Sequence, residues 1–184
     1  MDTTNYKILC FEYILYKLLE KHGQKCPNLD SKDILESYTR LKALKLLFLV
    51  SAAKASKKQE ALLRIFDKFY AMERGPVESD IYDAMNTNNI GMYDFSRRKT
   101  RLNENFNIEV FQKIKESDCE LINDSIDCLL SQNANILLEG PFSLVGITHK
   151  WSSWKIAYHI ATALGKGSER MKIEHIKNDI KYFS

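Results

Sequence analysis

Glycine and proline are scarce in this sequence, with 7 and 3 residues respectively. A sandwich or barrel of many short strands needs frequent tight turns, so this scarcity disfavours that class and favours helices. No apolar run reaches the roughly 18 residues of a membrane-spanning helix, and no charged-then-apolar leader opens the sequence. The four cysteines form no C-x-x-C pair; they are Cys10, Cys26, Cys119 and Cys128. We therefore expect a reduced cytoplasmic protein that does not associate with membranes.

The sequence also lacks the motifs of common catalytic and nucleotide-binding sites. Neither G-x-x-x-x-G-K-[ST] nor G-x-G-x-x-G occurs, and the Gly-Lys-Gly-Ser segment at 165–168 is too short for a phosphate-binding loop. His149 is the most attractive candidate for catalysis, but His159 lies ten residues away, which is not a metal-ligand spacing. We predict no catalytic residue, no metal and no cofactor. An enzyme that uses His149 is the less favoured alternative.

Charge and length limit the remaining function classes. The net charge of +3 is spread over both halves and gives no strong indication of nucleic-acid binding. One basic cluster is the local exception, and its residues are Arg97, Arg98, Lys99 and Arg101. This cluster is the alternative site for promoter DNA, although a solvated loop face is the simpler interpretation. A length of 184 residues with an apolar share of 45% fits one domain with a real core.

Apolar residues at spacings of three and four predict helix over most of the chain. The predicted helices cover 6–22, a segment from about 32, 39–56, a segment from the turn at 75–77 to about 86, 117–130, 142–148, 153–164 and a last helix capped by Ser168. Ser117 and Glu120 match a capping box at the start of the fifth of these helices. Residues 87–107 are predicted as a loop with a short helix. The predicted fold class is mainly α, a single-domain helical bundle.

The Gly-Pro-Val turn at 75–77 organises the sequence. Its proline fixes its own φ and disfavours helical geometry at the preceding glycine, so a helix arriving from residues 69–72 ends there. That run is too short for periodicity to separate helix from strand, so a short β-hairpin at the turn stays open. Glu78 or Ser79 is predicted to cap the helix that follows, with Asp80 in its first turn.

Three segments of the chain resemble a known family in their order and spacing. They are LKALKLLFLV at 41–50, FYAMERGPVESDIY at 69–82 and LVGITHKWSSW at 144–154. The sequence resembles the Panacea domain, the family of SocA-like antitoxins and phage-associated proteins. In that family a leucine-rich L-x-K-L-L helix precedes an aromatic approach to Gly-Pro-Val, and a [ST]-His segment followed by a tryptophan comes near the C-terminus. The resemblance covers roughly residues 41–154.

The resemblance implies a mainly helical cytoplasmic domain of a bacterial toxin–antitoxin pair. Family members neutralise a cognate protein toxin by direct contact, and one SocA-like member is an adaptor that brings its toxin to a protease. The family supplies no agreed catalytic residues. Under this interpretation the chain is one domain over 1–184, with an N-terminal helical extension at 1–30, a family core at 31–164 and a C-terminal helix at 165–184. A DNA-binding autoregulatory or phage-associated protein is the alternative.

Five residues are predicted to contact the protein partner. They lie in the second and third of the three family-like segments, and they are Arg74, Glu78, Asp80, Tyr82 and Trp151. The first four place charged and aromatic groups at a rigid corner, and Trp151 is the candidate aromatic anchor.

Overall fold

Helices dominate the computed structural model, which describes residues 2–184 and confirms the mainly α prediction. The elements in chain order are α1 (Thr3–Lys25), α2 (Ser31–Ser37), α3 (Arg40–Ala53), β1 (Phe69–Met72), β2 (Gly75–Glu78), α4 (Ser79–Asn86), β3 (Tyr93–Phe95), β4 (Thr100–Leu102), α5 (Glu116–Gln132), α6 (Pro141–His149), α7 (Ser152–Ala163), β5 (Ser168–Arg170) and α8 (Ile173–Asn178). Short 3-10 turns lie at Ala61–Arg64, Ile108–Lys113 and Ile136–Leu138.

Helix α3 forms the centre of the core. Every residue from 42 to 53 is buried, as expected for a helix whose second half is apolar nearly all round. It packs against α5, α6 and β2, so it contacts elements from both halves of the chain. Helix α1 covers another side, and its predicted apolar stripe is buried as expected; the stripe consists of Ile8, Phe11, Leu15 and Leu18.

A three-stranded antiparallel sheet lies beside α3, in the order β2-β1-β5. The β1–β2 pair is a hairpin at the Gly-Pro-Val turn, which confirms the hairpin that the sequence left open. Strand β5 pairs with β1, with Tyr70 opposite Arg170. The prediction that Ser168 caps a helix is therefore wrong, because the edge of β1 recruits Ser168–Arg170 as a strand. Helix α8 begins only at Ile173.

Two other local predictions also differ from the structure. The region 87–107 contains the β3–β4 hairpin, whose three-residue strands are too short to show an alternating pattern. Helix α5 starts at Glu116 with Lys115 at its N-cap, so Ser117 lies inside the helix and does not cap it. The hydroxyl of Tyr6 accepts a hydrogen bond from the Lys115 backbone N–H and donates to Asp118, which anchors this helix start by contacts from α1.

Candidate partner-binding site

A tight turn at the end of the β1–β2 hairpin places Arg74 at the surface. Glu73 and Arg74 are the two exposed turn residues between the strands. Gly75 follows with φ +94°, a backbone conformation that favours glycine because glycine has no Cβ. Pro76 and Val77 then pair back along β1. The corner predicted at Gly-Pro-Val is thus the end of a short hairpin.

Lys45 of α3 lies directly beneath this corner and is 0% exposed. Its Nζ donates to the Pro76 carbonyl oxygen over 2.5 Å. A Cβ on Gly75 would lie 3.3 Å from this Nζ and 2.6 Å from Thr148 Oγ1 of α6. Burial lowers the pKa of Lys45 to about 7. Helix α3, the hairpin and α6 therefore meet at one crowded point, which fixes the direction in which the turn residues project.

The buried amine of Lys45 makes stability depend on pH. Its pKa is about 7 in the folded protein against an ordinary 10.5, so between these values the unfolded chain binds more protons and the free energy of unfolding rises with pH. We expect the wild type to gain about 2 kcal/mol relative to Lys45→Met between pH 7 and pH 9. Urea denaturation of both proteins measures this difference, in which the contributions of all other lysines cancel. Parallel pH profiles would contradict a buried, titrating amine.

The acidic residues after the corner are held by α1. Lys7 Nζ lies 2.9, 2.7 and 2.6 Å from carboxylate oxygens of Asp67, Glu78 and Asp80, respectively. Glu78 is fully buried, and its other oxygen accepts from the Ile81 N–H over 3.0 Å, which confirms its role as the cap of α4. Burial raises the pKa of Glu78, and the Lys7 ammonium opposes that rise. Glu78 thus offers no surface to a partner, contrary to the contact predicted for it.

Asp80 is only partly exposed and is held by two lysines. Lys7 binds one carboxylate oxygen and Lys68 Nζ lies 3.1 Å from the other. Burial alone would raise the pKa of Asp80, but the hydrogen bonds from these two lysines hold it below its usual value. Asp80 therefore stays charged while being largely compensated, so little of its charge remains for a partner.

Trp151 lies in the core, contrary to the exposed anchor predicted from the sequence. Its ring packs edge-on against Phe48, with centroids 4.9 Å apart, and against Phe183 at 6.0 Å. Its Nε1 donates to the Tyr182 carbonyl oxygen over 3.0 Å. Trp151 therefore attaches the C-terminal segment to α3. A buried tryptophan whose N–H finds a backbone acceptor is a common core arrangement.

A cavity of about 620 Å³ opens beside the corner, and we call it the corner cavity. Its walls come from the start of α3, the β1–β2 turn, α4, the β3–β4 loop and the start of α6. Arg74 and Tyr82, two of the residues predicted to contact a partner, line it. Arg97, from the predicted nucleic-acid cluster, lines the same cavity. The structure thus brings together residues that the sequence assigned to two different sites.

The other three residues of the basic cluster do not line the corner cavity. The β3–β4 loop is closed by a hydrogen bond from the Ser96 N–H to the Lys99 carbonyl oxygen. Lys99 Nζ pairs with Glu36 over 3.1 Å. Arg98 and Arg101 are exposed and do not line the corner cavity. Lys99 and Arg101 line a second cavity beside α2, whereas Arg97 lines the corner cavity.

The structure gives His149 a packing role. Its ring stacks on Trp154 with centroids 3.8 Å apart and planes 9° apart. Its Nε2 is buried and has no hydrogen-bond partner within residues 2–184. Burial and the nearby Lys45 lower the pKa of His149. Across the described part of the chain, no cluster of three or more His, Cys, Asp or Glu side chains could hold a metal ion.

Within residues 2–184, no helix is both long enough and apolar enough to cross a bilayer.

Sequence reasoning missed three cations that shape the site. Lys7 continues the buried stripe of α1, since it lies four residues before Phe11, and a lysine on an apolar face indicates a buried ion pair. Lys45 lies on a helix with almost no polar face, which was a signal for its burial. Arg40 at the start of α3 lines the corner cavity, and no local pattern indicated this.

Comparison with known proteins identifies the family of this chain. A family model described as "Antitoxin SocA-like, Panacea domain" matches residues 44–155, which is more than half of the chain. The matched range lies inside the predicted family core of 31–164, and it includes Lys45, the Gly-Pro corner and Thr148. No curated protein and no solved structure shows a significant match. The chain therefore belongs to the family of SocA-like antitoxins that carry the Panacea domain.

Proposed function

We propose that this protein is an antitoxin that neutralises a cognate protein toxin by direct contact at the corner cavity. The observation that carries the proposal is that Arg74, Tyr82 and Arg97, three residues of the family-matched range that come from separate segments, line one cavity. Membership of an antitoxin family supports a toxin as the partner in general terms. The packing role of His149 favours a binding module over an enzyme.

The rigidity of the corner supports binding without rearrangement. Arg74 follows a paired strand and precedes a glycine that Lys45 and Thr148 enclose. A preformed surface loses little conformational entropy when a partner binds, which improves affinity. We propose that coverage of the toxin's working surface neutralises it in the cytoplasm. Delivery of the bound toxin to a protease is the alternative route to the same outcome.

Co-expression tests this function. The reading frame adjacent to this gene, expressed alone, should arrest growth, and the wild-type chain should restore growth. Arg74→Glu reverses a charge at the cavity rim, so we expect it to weaken toxin binding at least about tenfold and to abolish rescue. Lys155→Glu, an exposed change on α7, is the matched control and should rescue. Full rescue by Arg74→Glu would remove the corner cavity from the toxin contact.

DNA binding is the second candidate function, favoured by the exposed arginines of the β3–β4 hairpin. Arg97, Arg98 and Arg101 would contact phosphates, and each contact would add about −0.9 to the slope of log affinity against log salt concentration. A gel shift with the promoter of its own operon measures this. Retardation that Arg98→Ala reduces would support autoregulation. A promoter fragment that migrates unchanged at low salt would eliminate this candidate and leave the toxin contact untouched.

A further inference from the structure

The rim of the corner cavity carries positive charge that the chain does not neutralise. Arg40, Arg74 and Arg97 line the cavity. None of the three forms an ion pair with a carboxylate anywhere in residues 2–184. Glu73 is the one acidic residue among those that line the cavity. A concave site with an excess of guanidinium groups favours a ligand with several negative charges.

Arg40 is already held in position at this rim. Its Nη1 donates to the side-chain oxygen of Asn86 over 2.5 Å, and its Nη2 lies 3.3 Å from the Met85 carbonyl oxygen and 3.4 Å from that of Phe95. All three acceptors are neutral, so they orient the guanidinium without compensating its charge. Because the guanidinium of Arg40 is already ordered, binding of an anion to it costs little side-chain conformational entropy.

Several other residues that line the corner cavity are apolar. They include Leu41, Leu44, Met72 and Val77. Phe142, at the first turn of α6, also lines the cavity and is 72% exposed, which is unusual for a phenylalanine. Apolar walls under a few convergent polar groups are typical of a site that holds an apolar body and fixes its orientation through charge.

The same geometry favours a peptide over nucleic acid. A phosphate backbone tracks cations that lie in a stripe, whereas Arg40, Arg74 and Arg97 surround one cavity and Arg98 and Arg101 lie outside it. A cavity of about 620 Å³ with several apolar lining residues has room for a large side chain, which a phosphate backbone would not fill. We infer that the corner cavity binds an acidic segment of the protein partner, with an aromatic or aliphatic side chain inserted between carboxylates that pair with Arg74 and Arg97. This inference rests on the proposed function, since the partner is the toxin.

A synthetic peptide tests this inference without the toxin. The probe is a fluorescein-labelled peptide with two glutamates on each side of one phenylalanine, and fluorescence anisotropy measures its binding to the full chain. We expect saturable binding that weakens as sodium chloride is added. Arg74→Ala and Arg97→Ala should each weaken binding about tenfold, as expected for loss of one charge-assisted hydrogen bond. Arg98→Ala, next to Arg97 but outside the cavity, is the matched control and should bind as the wild type does.

Two altered peptides separate the charged and apolar parts of the recognition. Glutamine in place of glutamate, and glycine in place of phenylalanine, should each lower affinity about tenfold. An equal loss with Arg98→Ala, no saturable binding, or displacement of the probe by a DNA oligonucleotide at lower concentration than by unlabelled peptide would overturn the inference. All the substituted arginines are at the surface, so the variants should fold, and circular dichroism is the check.

The peptide experiment and the co-expression experiment test separate claims, so either claim can be refuted while the other stands. Binding of the peptide with the expected mutant profile, together with absence of any toxin rescue, would support the cavity chemistry and refute the antitoxin role. Rescue that depends on Arg74, without peptide binding, would support the antitoxin role and refute the acidic segment as the bound element.

Discussion

Replacement of Lys7 by methionine is expected to lower the free energy of unfolding by about 3–5 kcal/mol, the usual cost of removing one member of a buried ion pair. The ammonium of Lys7 contacts Asp67, Glu78 and Asp80. Without it, the fully buried Glu78 keeps backbone N–H donors but has no cation beside it. Urea denaturation followed by circular dichroism measures the loss, provided that the slope with denaturant stays unchanged.

Lys17→Met on the same helix is the matched control. Lys17 pairs with Glu20 one turn away at a more exposed position, so its loss should cost less than about 1 kcal/mol. The double variant Lys7→Met/Glu78→Gln should recover part of the loss, because it removes the uncompensated charge. If Lys7→Met were no more harmful than Lys17→Met, the buried cluster would contribute nothing beyond a surface pair.

Gly75→Ala is expected to have the second large effect, a decrease of about 3 kcal/mol in the free energy of unfolding. A left-handed conformation costs a residue with a Cβ roughly 1–2 kcal/mol, and an extra atom in a packed core typically costs 1–3 kcal/mol more. Gly75 has φ +94°, and its Cβ would lie 2.6 Å from Thr148 Oγ1. Thermal and urea unfolding measure the loss. Because the turn would shift, toxin rescue should fall with it.

Two other glycines separate the causes of this loss. Gly165 has φ +66° and open space where its Cβ would lie, so Gly165→Ala should show the backbone cost alone, about 1 kcal/mol. Gly146 lies within α6 with equally open space, so Gly146→Ala should be neutral or slightly stabilising. Thr148→Ala added to Gly75→Ala should recover stability. A Gly75→Ala protein no less stable than Gly165→Ala would contradict the crowding at the corner.

The Lys7 ion pairs connect the N-terminal helix to the family region. Lys7 lies on α1, outside the matched residues 44–155, yet it is the cation beside Glu78 at the corner. Removal of α1 would expose the apolar surface that this helix covers and also leave a buried carboxylate uncompensated. The division into an extension at 1–30 and a core at 31–164 remains a prediction, and the Lys7–Glu78 pair means that the first of these segments supports the second.

The sequence by itself determined those features that depend on neighbouring residues. The stripe of α1 and the apolar run of α3 specified two helices, since helical periodicity is local. The restriction that proline places on the residue before it specified the break at Gly75, and the residues after the turn narrowed the cap of α4 to Glu78 or Ser79, of which Glu78 is the cap. The order of three short segments was sufficient to indicate the family.

Only the tertiary structure decided which polar and aromatic groups are buried and which of them meet. Trp151 and Glu78 looked available in sequence, but contacts from the C-terminal segment and from α1 bury them. Strand β5 exists because β1 presents a free edge, a cause that lies far from it in the chain. Arg40, Arg74 and Arg97 line one cavity because the start of α3, the β1–β2 turn and the β3–β4 loop meet there. Such convergence depends on long-range packing, which no local pattern of residues encodes.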